Sequence, residues 1–369
     1  MNLFIGLLFY TIINLMTMHN DIYINARFLT QKLSGVQRYA FEISKELFSI
    51  NNKYNFILLI PSKLSINPEY DFSFNIKKIG SNKGHFWEQF DLPRYLNKKN
   101  NPLLINLTNS APIFYKNKVS TIHDLSIFEN AEWFSFKYRT FYKFLIPRII
   151  KTSKKILTDS RFSQREILNK FSYLDSGDID VVYCSNSLKY NNNTIDDSKD
   201  DYLLFVGGNS KRKNLKNLIL AFIKLNDQKI KLKIVGNMVN HLKSDNILEH
   251  SNIEYLGDVS NDDLINLYIN AKMLVFPSFY EGFGLPPLEA ISCNCPIIVS
   301  DIPVLKEVYG DSALYIDPYS IDDIMNKISK LLNDSKLREK KIRLAVTQSQ
   351  KYSWKKSAIK IMDLIKGII

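Results

Sequence analysis

Cysteine is scarce in this chain. Its three cysteines, Cys184, Cys293 and Cys295, are too few for a disulfide framework, and no histidine pair stands beside them at zinc-ligand spacing. Cys293 and Cys295 lie one residue apart, which suits neither a redox pair nor a zinc knuckle, so both read as small buried residues in a reducing cytoplasm. Acid is also in deficit: 37 Asp and Glu stand against 49 Lys and Arg, a net charge of +12. That balance favours an anionic partner, whether nucleic acid, a phosphorylated substrate or an anionic lipid surface. Compositional bias is missing too, since 45% hydrophobic and 23% charged residues exclude a disordered tail and a polytopic membrane protein. At 369 residues the chain outgrows a single core, so two domains are expected.

The basic residues fall in separate runs rather than one stripe, which argues against nucleic acid as the partner. Lys336 to Arg343 reads as the solvated face of a helix. Lys137 to Lys155 interleaves cations with aromatics. Tyr138, Phe141, Phe144 and Leu145 can form an apolar face beside Lys137, Arg139, Lys143 and Arg148, so the run is either a partly buried helix or a peripheral contact with an anionic membrane. Residues 1 to 18 carry no charge. They lie at the short end of a membrane-spanning length and lack the positive start of a signal peptide, so they read either as an apolar extension ahead of Met18 or as a membrane-associated segment.

Short apolar runs alternate with amphipathic segments, the pattern of βαβ units and a parallel sheet. Strands are expected at Ile22–Ala26, Tyr54–Ile60, Leu103–Asn106, Val119–His123, Lys155–Asp159 and Asp180–Tyr183, with helices at Arg38–Ser49 and Ser163–Phe171 among the connections. Tyr190 to Asp201, rich in Asn and Asp, is the expected linker. The pattern then restarts with strands at Tyr202–Val206, Lys231–Val235, Ile253–Leu256, Met273–Phe276, Ile297–Ser300 and Leu314–Ile316. Helices are expected at Leu215–Leu225, Asp262–Ala271, Pro287–Ser292 and Ile321–Leu332. Two doubly wound domains of this kind bind ligand in the cleft between them, at the carboxyl ends of the strands.

The most informative stretch runs from Phe276 to Asp301, FPSFYEGFGLPPLEAISCNCPIIVSD. A buried strand leads into a loop with Gly282 and Gly284, then into a helix opened by Pro286 and Pro287. Glycine lets backbone approach a ligand, proline suits a first helical turn, and the free N–H groups there attract phosphate. Glu281 in the loop and Glu289 on the helix can each accept hydrogen bonds from sugar or ribose hydroxyls. A second cluster, FVGGNSKRKNLKNLILAF, places Gly207, Gly208, Arg212 and Lys213 near the end of a strand, where two cations can neutralise a diphosphate as a metal does elsewhere. Gly35 in SGVQRY sits in a strand-to-helix turn that can also reach phosphate. His123 and Asp124 end a buried strand, where a satisfied polar histidine is the ordinary reading. Asp178 and Asp180 have the spacing of a metal-binding acid pair but begin a strand, away from the expected cleft.

The Glu281 to Glu289 segment closely resembles the EGFGLPxxEA signature of the family 4 retaining glycosyltransferases, which have the GT-B fold of two Rossmann-like domains. Asn294 stands where that family has glycine, and asparagine can end the helix in its place. The resemblance implies that Glu281 contacts the transferred sugar, Glu289 the ribose, and the Phe283, Gly284 and Leu285 amides the sugar and diphosphate. It assigns Arg212 and Lys213 to the phosphates and His123 to the donor sugar. It implies an N-terminal acceptor domain over 19–195, a C-terminal nucleotide-sugar domain over 196–352, and a helix over 353–369 returning to the first. The expected activity is metal-independent, retaining transfer of a hexose, from GDP-mannose or a UDP- or dTDP-sugar, to a glycan or lipid-linked hydroxyl in the cytoplasm. A catalytically silent partner subunit is the alternative. FWEQFDLP, Phe86 to Pro93, also resembles one branch of the family, yet its chemistry gives Glu88 no role; Ser160 resembles a residue of a cleft-facing loop.

Overall fold

The computed structural model describes residues 21–50, 53–188, 199–208, 210–236 and 250–369. Two fully parallel sheets organise it. The first joins β1 (Asp21–Asn25), β2 (Asn55–Pro61), β3 (Ile76–Ile79), β4 (Leu104–Asn106), β5 (Lys118–Thr121), β6 (Lys155–Thr158) and β7 (Ile179–Val181) in the order β3-β2-β1-β4-β5-β6-β7. The second joins β8 (Tyr202–Val206), β9 (Lys231–Val235), β10 (Ile253–Gly257), β11 (Met273–Phe276), β12 (Ile297–Ser300) and β13 (Leu314–Ile316) in the order β10-β9-β8-β11-β12-β13. In both sheets the order reverses beside the first strand, so a crevice opens at the carboxyl ends of the strands there. Runs such as Leu203, Leu204 and Phe205 are buried on both faces because helices cover each side of a parallel sheet.

The principal helices are α1 (Gly35–Ile50), α2 (Phe136–Thr152), α3 (Arg161–Lys170), α4 (Leu215–Leu225), α5 (Asn261–Asn270), α6 (Leu285–Ser292), α7 (Pro303–Tyr309), α8 (Ile321–Asn333), α9 (Ser335–Ser349) and α10 (Trp354–Ile368). β3 escapes a pattern search because its middle residues, Lys77 and Lys78, are exposed; lysines on an edge strand discourage pairing with another chain. α1 begins three residues before the expected start, at Gly35. The stretch expected to be a fully solvated helical face is only partly so: within α9, Arg338 is buried and its Nη1 caps α8 by donating to the carbonyls of Leu331 and Leu332 at 2.8 and 2.6 Å, while Ile342 enters the core. Most of the expected linker, like residues 1 to 18, lies outside the described residues.

α10 crosses back over the first sheet. Its Trp354 ring meets Tyr39 of α1 edge-on at 5.9 Å. Ser357 Oγ and Lys360 Nζ donate to the carbonyls of Tyr183 and Val181 at 2.6 and 2.8 Å. A second tie between the halves is Glu307 of α7, whose carboxylate accepts the free Arg161 and Phe162 amides at the start of α3, at 2.8 and 2.9 Å. An acid at a helix N-terminus satisfies orphan donors and opposes the positive end of the dipole.

Candidate active site

Between the two sheets lies a cavity of about 830 Å³. Its walls bring together Gly35, His123, Gly207, Gly208, Arg212, Lys213, Glu281, Phe283, Gly284 and Leu285 from four separate stretches of chain. Glu289, on α6, is buried away from the wall and accepts a hydrogen bond from the Tyr268 hydroxyl at 3.0 Å. Burial pushes its carboxyl above the usual range, with Arg38 of α1 and Tyr268 pulling the other way. Asp178 lies in a turn ahead of β7, and Asp180 pairs with Lys360 of α10 at 3.7 Å, both off the cavity wall. Among the described residues no three His, Cys, Asp or Glu side chains gather as a metal-binding group.

The charged centre is a triad. Arg212 Nη1 and Lys213 Nζ approach the two oxygens of Glu281 at 2.8 and 2.7 Å. Burial pushes the Glu281 carboxyl up, yet the two cations beside it more than offset that and hold it at about 2. Two cations for one carboxylate, all largely dehydrated, leave one positive charge in a poorly screening environment, which favours an anion. The turn carrying the cations is fixed by the residue after them. Asn214 adopts a left-handed φ of 57° and its buried amide donates to the carbonyls of Pro277 and Pro318 at 3.0 and 2.7 Å, so it locks the turn to the loop before Glu281.

The glycines around the triad are close-approach points. A Cβ on Gly282 would stand 2.9 Å from the carbonyl oxygen of His123 and from Asp124 Cβ, so only glycine lets this loop rest against the opposite sheet. Gly284 has a φ of 94° and caps α6, with proline in the first turn behind it, and its carbonyl accepts the Tyr309 hydroxyl. α6 stops as expected, since Asn294 takes the left-handed φ of 55° that glycine would otherwise supply.

From the first sheet, His123 offers a single free atom. Its Nδ1–H donates to the Asp159 carboxylate, 2.9 Å to the nearer oxygen, and Asn109 Oδ1 accepts its backbone N–H at 2.8 Å. Nε2 is buried without a hydrogen-bond partner. Burial pushes the imidazole pKa down, but the Asp159 charge and hydrogen bond outweigh it and raise it.

The family profile of Glycosyl transferases group 1 matches residues 189–345. The O-antigen chain mannosyltransferase B of Escherichia coli is 30% identical over 270 residues, 67% of this chain and 70% of that protein. This chain is a group 1 glycosyltransferase. The O-antigen chain mannosyltransferase RfbU of Salmonella typhimurium is 31% identical over 229 residues, covering 61% of the group 1 chain and 64% of RfbU. In three dimensions its fold matches WaaG, a glycosyltransferase involved in lipopolysaccharide biosynthesis, with a TM-score of 0.71 at 16% identity, over 94% of this chain and all of WaaG. Sucrose-phosphate synthase from Thermosynechococcus elongatus gives 0.74 at 16% identity, over 95% and 99%. These likenesses establish the GT-B architecture.

Several cavity residues of the transferase carry little trace in the sequence. Asp159 ends β6 as His123 ends β5, and adjacent parallel strands bring the two together; a histidine closing one strand and an acid closing the next is the only signal available. The neighbouring Ser160 is a helix cap, its buried hydroxyl accepting Ser163 N–H at 3.0 Å. Lys32, Arg38 and Asp258 line the cavity mouth, where Lys32 pairs with Asp258 across it and Arg38 with Asn261. Arg38 belongs to the SGVQRY run, whereas Lys32 and Asp258 belong to no pattern with recognisable spacing.

Proposed function

We propose that this transferase moves a hexose, mannose in the first instance, from a nucleoside-diphosphate sugar to a glycan or lipid-linked hydroxyl, with retention of configuration and without a metal. The observation that carries the reading is the Arg212–Lys213–Glu281 triad with its surplus positive charge, placed beside the α6 N-terminus and the Gly35 turn. Negative charge develops on the diphosphate as the sugar–oxygen bond breaks, and preorganised donors stabilise it without reorganisation. When the diphosphate enters, Arg212 and Lys213 turn part of their interaction from Glu281 to phosphate, and Glu281 is left able to accept a sugar hydroxyl. His123 Nε2 has no other partner and takes a second hydroxyl; the Phe283 and Leu285 backbone faces the diphosphate from the cavity wall, and Glu289, set behind the wall with one oxygen on Tyr268, is left to reach the ribose with its other oxygen. The relatives named as mannosyltransferases favour mannose, and GDP is the nucleotide to test first.

Retention through a covalent intermediate needs a free carboxylate at the sugar. The acids on the cavity wall are engaged: Asp159 by His123, Asp124 by Ser126, Asp258 by Lys32 and Glu69 by the Leu33 amide, and Glu281, shared with the two cations, by the sugar hydroxyl it accepts. This supports attack from the face the diphosphate leaves, with a phosphate oxygen taking the acceptor proton. A peripheral seat at the inner membrane face is supported by α2. That helix buries Leu145, Ile146, Ile149 and Ile150, correcting the place of Leu145, and turns Phe136, Tyr138 and Phe144 outward with Arg139 and Arg148 over the Phe136 and Phe144 rings. Among the described residues no helix is long and apolar enough to cross a membrane.

Thermal shift with UDP, GDP, dTDP and ADP in EDTA tests the reading, because a bound nucleotide raises apparent stability with affinity and concentration. One nucleotide, GDP first, is expected to stabilise the protein by several degrees with EDTA present. No shift from any of the four removes the reading.

A further inference from the structure

Off the cavity wall, where β1 and β4 end, the first sheet holds a further carboxylate, fully buried. Glu88 Oε1 accepts Asn25 Nδ2 at 2.8 Å and Ser110 Oγ at 2.9 Å. Its Oε2 accepts His85 Nδ1–H at 3.2 Å. Arg27 completes the nest, with Nε 3.6 Å from Oε1 and Nη2 donating to Ser110 Oγ at 3.0 Å. Burial pushes the Glu88 carboxyl up, but Arg27, His85 and Asn25 outweigh it and hold it ionised below its usual range.

A clamp between strand ends needs no charge. Burying a carboxylate carries a heavy desolvation penalty before pairing, and a neutral amide tying Asn25 to Ser110 avoids most of that. Two further observations point to a ligand. Arg27 Nε is buried and, 3.6 Å from Glu88 Oε1, lies beyond hydrogen-bond reach of it with no other partner, and the His85 side chain, with its Nδ1 committed to Glu88, stays 34% exposed. The surroundings suit carbohydrate. The His85 ring lies 4.6 Å from that of Phe141, and the exposed Phe86 and Phe90 rings continue the surface, giving flat apolar faces next to polar groups. The nest also adjoins the donor site: Asn109, whose side chain holds the His123 amide, directly precedes Ser110. One guanidinium against one carboxylate leaves no surplus charge, unlike the Glu281 triad, which favours a neutral, hydroxyl-bearing ligand over a phosphate.

We propose that Glu88 is a positioning residue of an acceptor subsite, holding Arg27 and the His85 ring so that the hydroxyls of an acceptor sugar dock on them while its ring rests on Phe141. This deepens the transferase reading and rests on it. Glu88 touches no substrate; it fixes the His85 tautomer with Nε2 open and keeps Arg27 in place.

The test uses the full chain with octyl α-mannoside, octyl β-glucoside and octyl N-acetyl-β-glucosaminide, binding being read by saturation-transfer NMR and the nucleotide site by thermal shift. At least one glycoside is expected to bind the wild type in the millimolar range. Glu88→Gln and His85→Gln then weaken it about tenfold or more, the cost of losing a charged hydrogen bond or its orientation. Nucleotide-induced thermal shift stays at the wild-type value. His85→Gln leaves Glu88 bonded to Asn25 and Ser110, so it decides the matter if Glu88→Gln lowers stability. Wild-type glycoside affinity in His85→Gln, or no glycoside binding to the wild type, overturns the proposal. Glycoside binding with no nucleotide shift in the wild type is a distinct result: it removes the transferase reading, and the acceptor role with it, while the glycoside site itself stands.

Discussion

Each half of this molecule closes a buried carboxylate between basic groups at the carboxyl ends of a parallel sheet, and the two are built for different tasks. In the second half Glu281 is matched by Arg212 and Lys213, and the surplus charge suits a diphosphate. In the first half Glu88 is matched by Arg27 and hydrogen-bonded by neutral groups, and no charge is left over. Charge balance, rather than the presence of buried ions, separates the two, and under the proposed function it suits the first to a leaving anion and the second to a neutral sugar.

Arg212→Met strikes the difference hardest. It removes half of the positive charge facing the departing diphosphate, and turnover is expected to fall about 10²- to 10³-fold, the range seen when one preorganised donor is lost from a developing anion. Steady-state kinetics with GDP-mannose check it; a loss under about tenfold breaks the assignment. Next is pH. Glu281 is held at about 2 against an ordinary 4.5, so its ion pairs contribute stability above about pH 4.5 that is lost as pH falls toward 2. The depression corresponds to about 3 kcal/mol. Denaturant titrations of the wild type and Glu281→Gln should diverge most near neutrality and converge as the pH drops through 4. A gap that does not change with pH removes the charge argument.

His123→Asn is expected to cost less, about 10- to 100-fold in turnover with nucleotide affinity intact, because it takes one hydroxyl contact and leaves the phosphate site whole. An equal loss of nucleotide affinity would show that His123 acts through the fold by way of its Asp159 and Asn109 contacts.

How much of this was legible follows from how each half is assembled. The second half's share of the site draws on contiguous chain: strand, Gly282, Gly284, paired prolines and Glu289 fall within one stretch, and Arg212 and Lys213 sit side by side. Their backbone demands for close approach, positive φ and a helix start leave glycine and proline in the sequence. The Glu88 nest in the first half draws mostly on distant side chains, Ser110 at 22 and Asn25 at 63 residues, with His85 three residues away on the same helical stretch, and the distant ones meet only when parallel strands align their ends. Asn25, Glu88 and Ser110 obey no spacing rule, so no pattern gave Glu88 a role. Nearly every strand was readable because buried parallel strands are unbroken apolar runs, whereas β3, with two exposed lysines, was not, and the order of the strands in each sheet leaves no mark in the sequence.

The weakest effect is expected where the halves meet in water. On one side of the cleft Glu307 caps α3 through two amides and takes the Tyr183 hydroxyl at 3.1 Å; on the other, Lys32 meets Asp258 with both side chains about half exposed or more. An exposed pair gains little over hydration and is screened by salt. Lys32→Gln should therefore change stability by less than about 1 kcal/mol, and the difference should vanish in 0.5 M salt. If Lys32→Gln instead weakens nucleotide binding tenfold at any salt concentration, Lys32 belongs with Arg212 and Lys213 as a donor contact, and the surplus charge of the second half reaches across the cleft into the first.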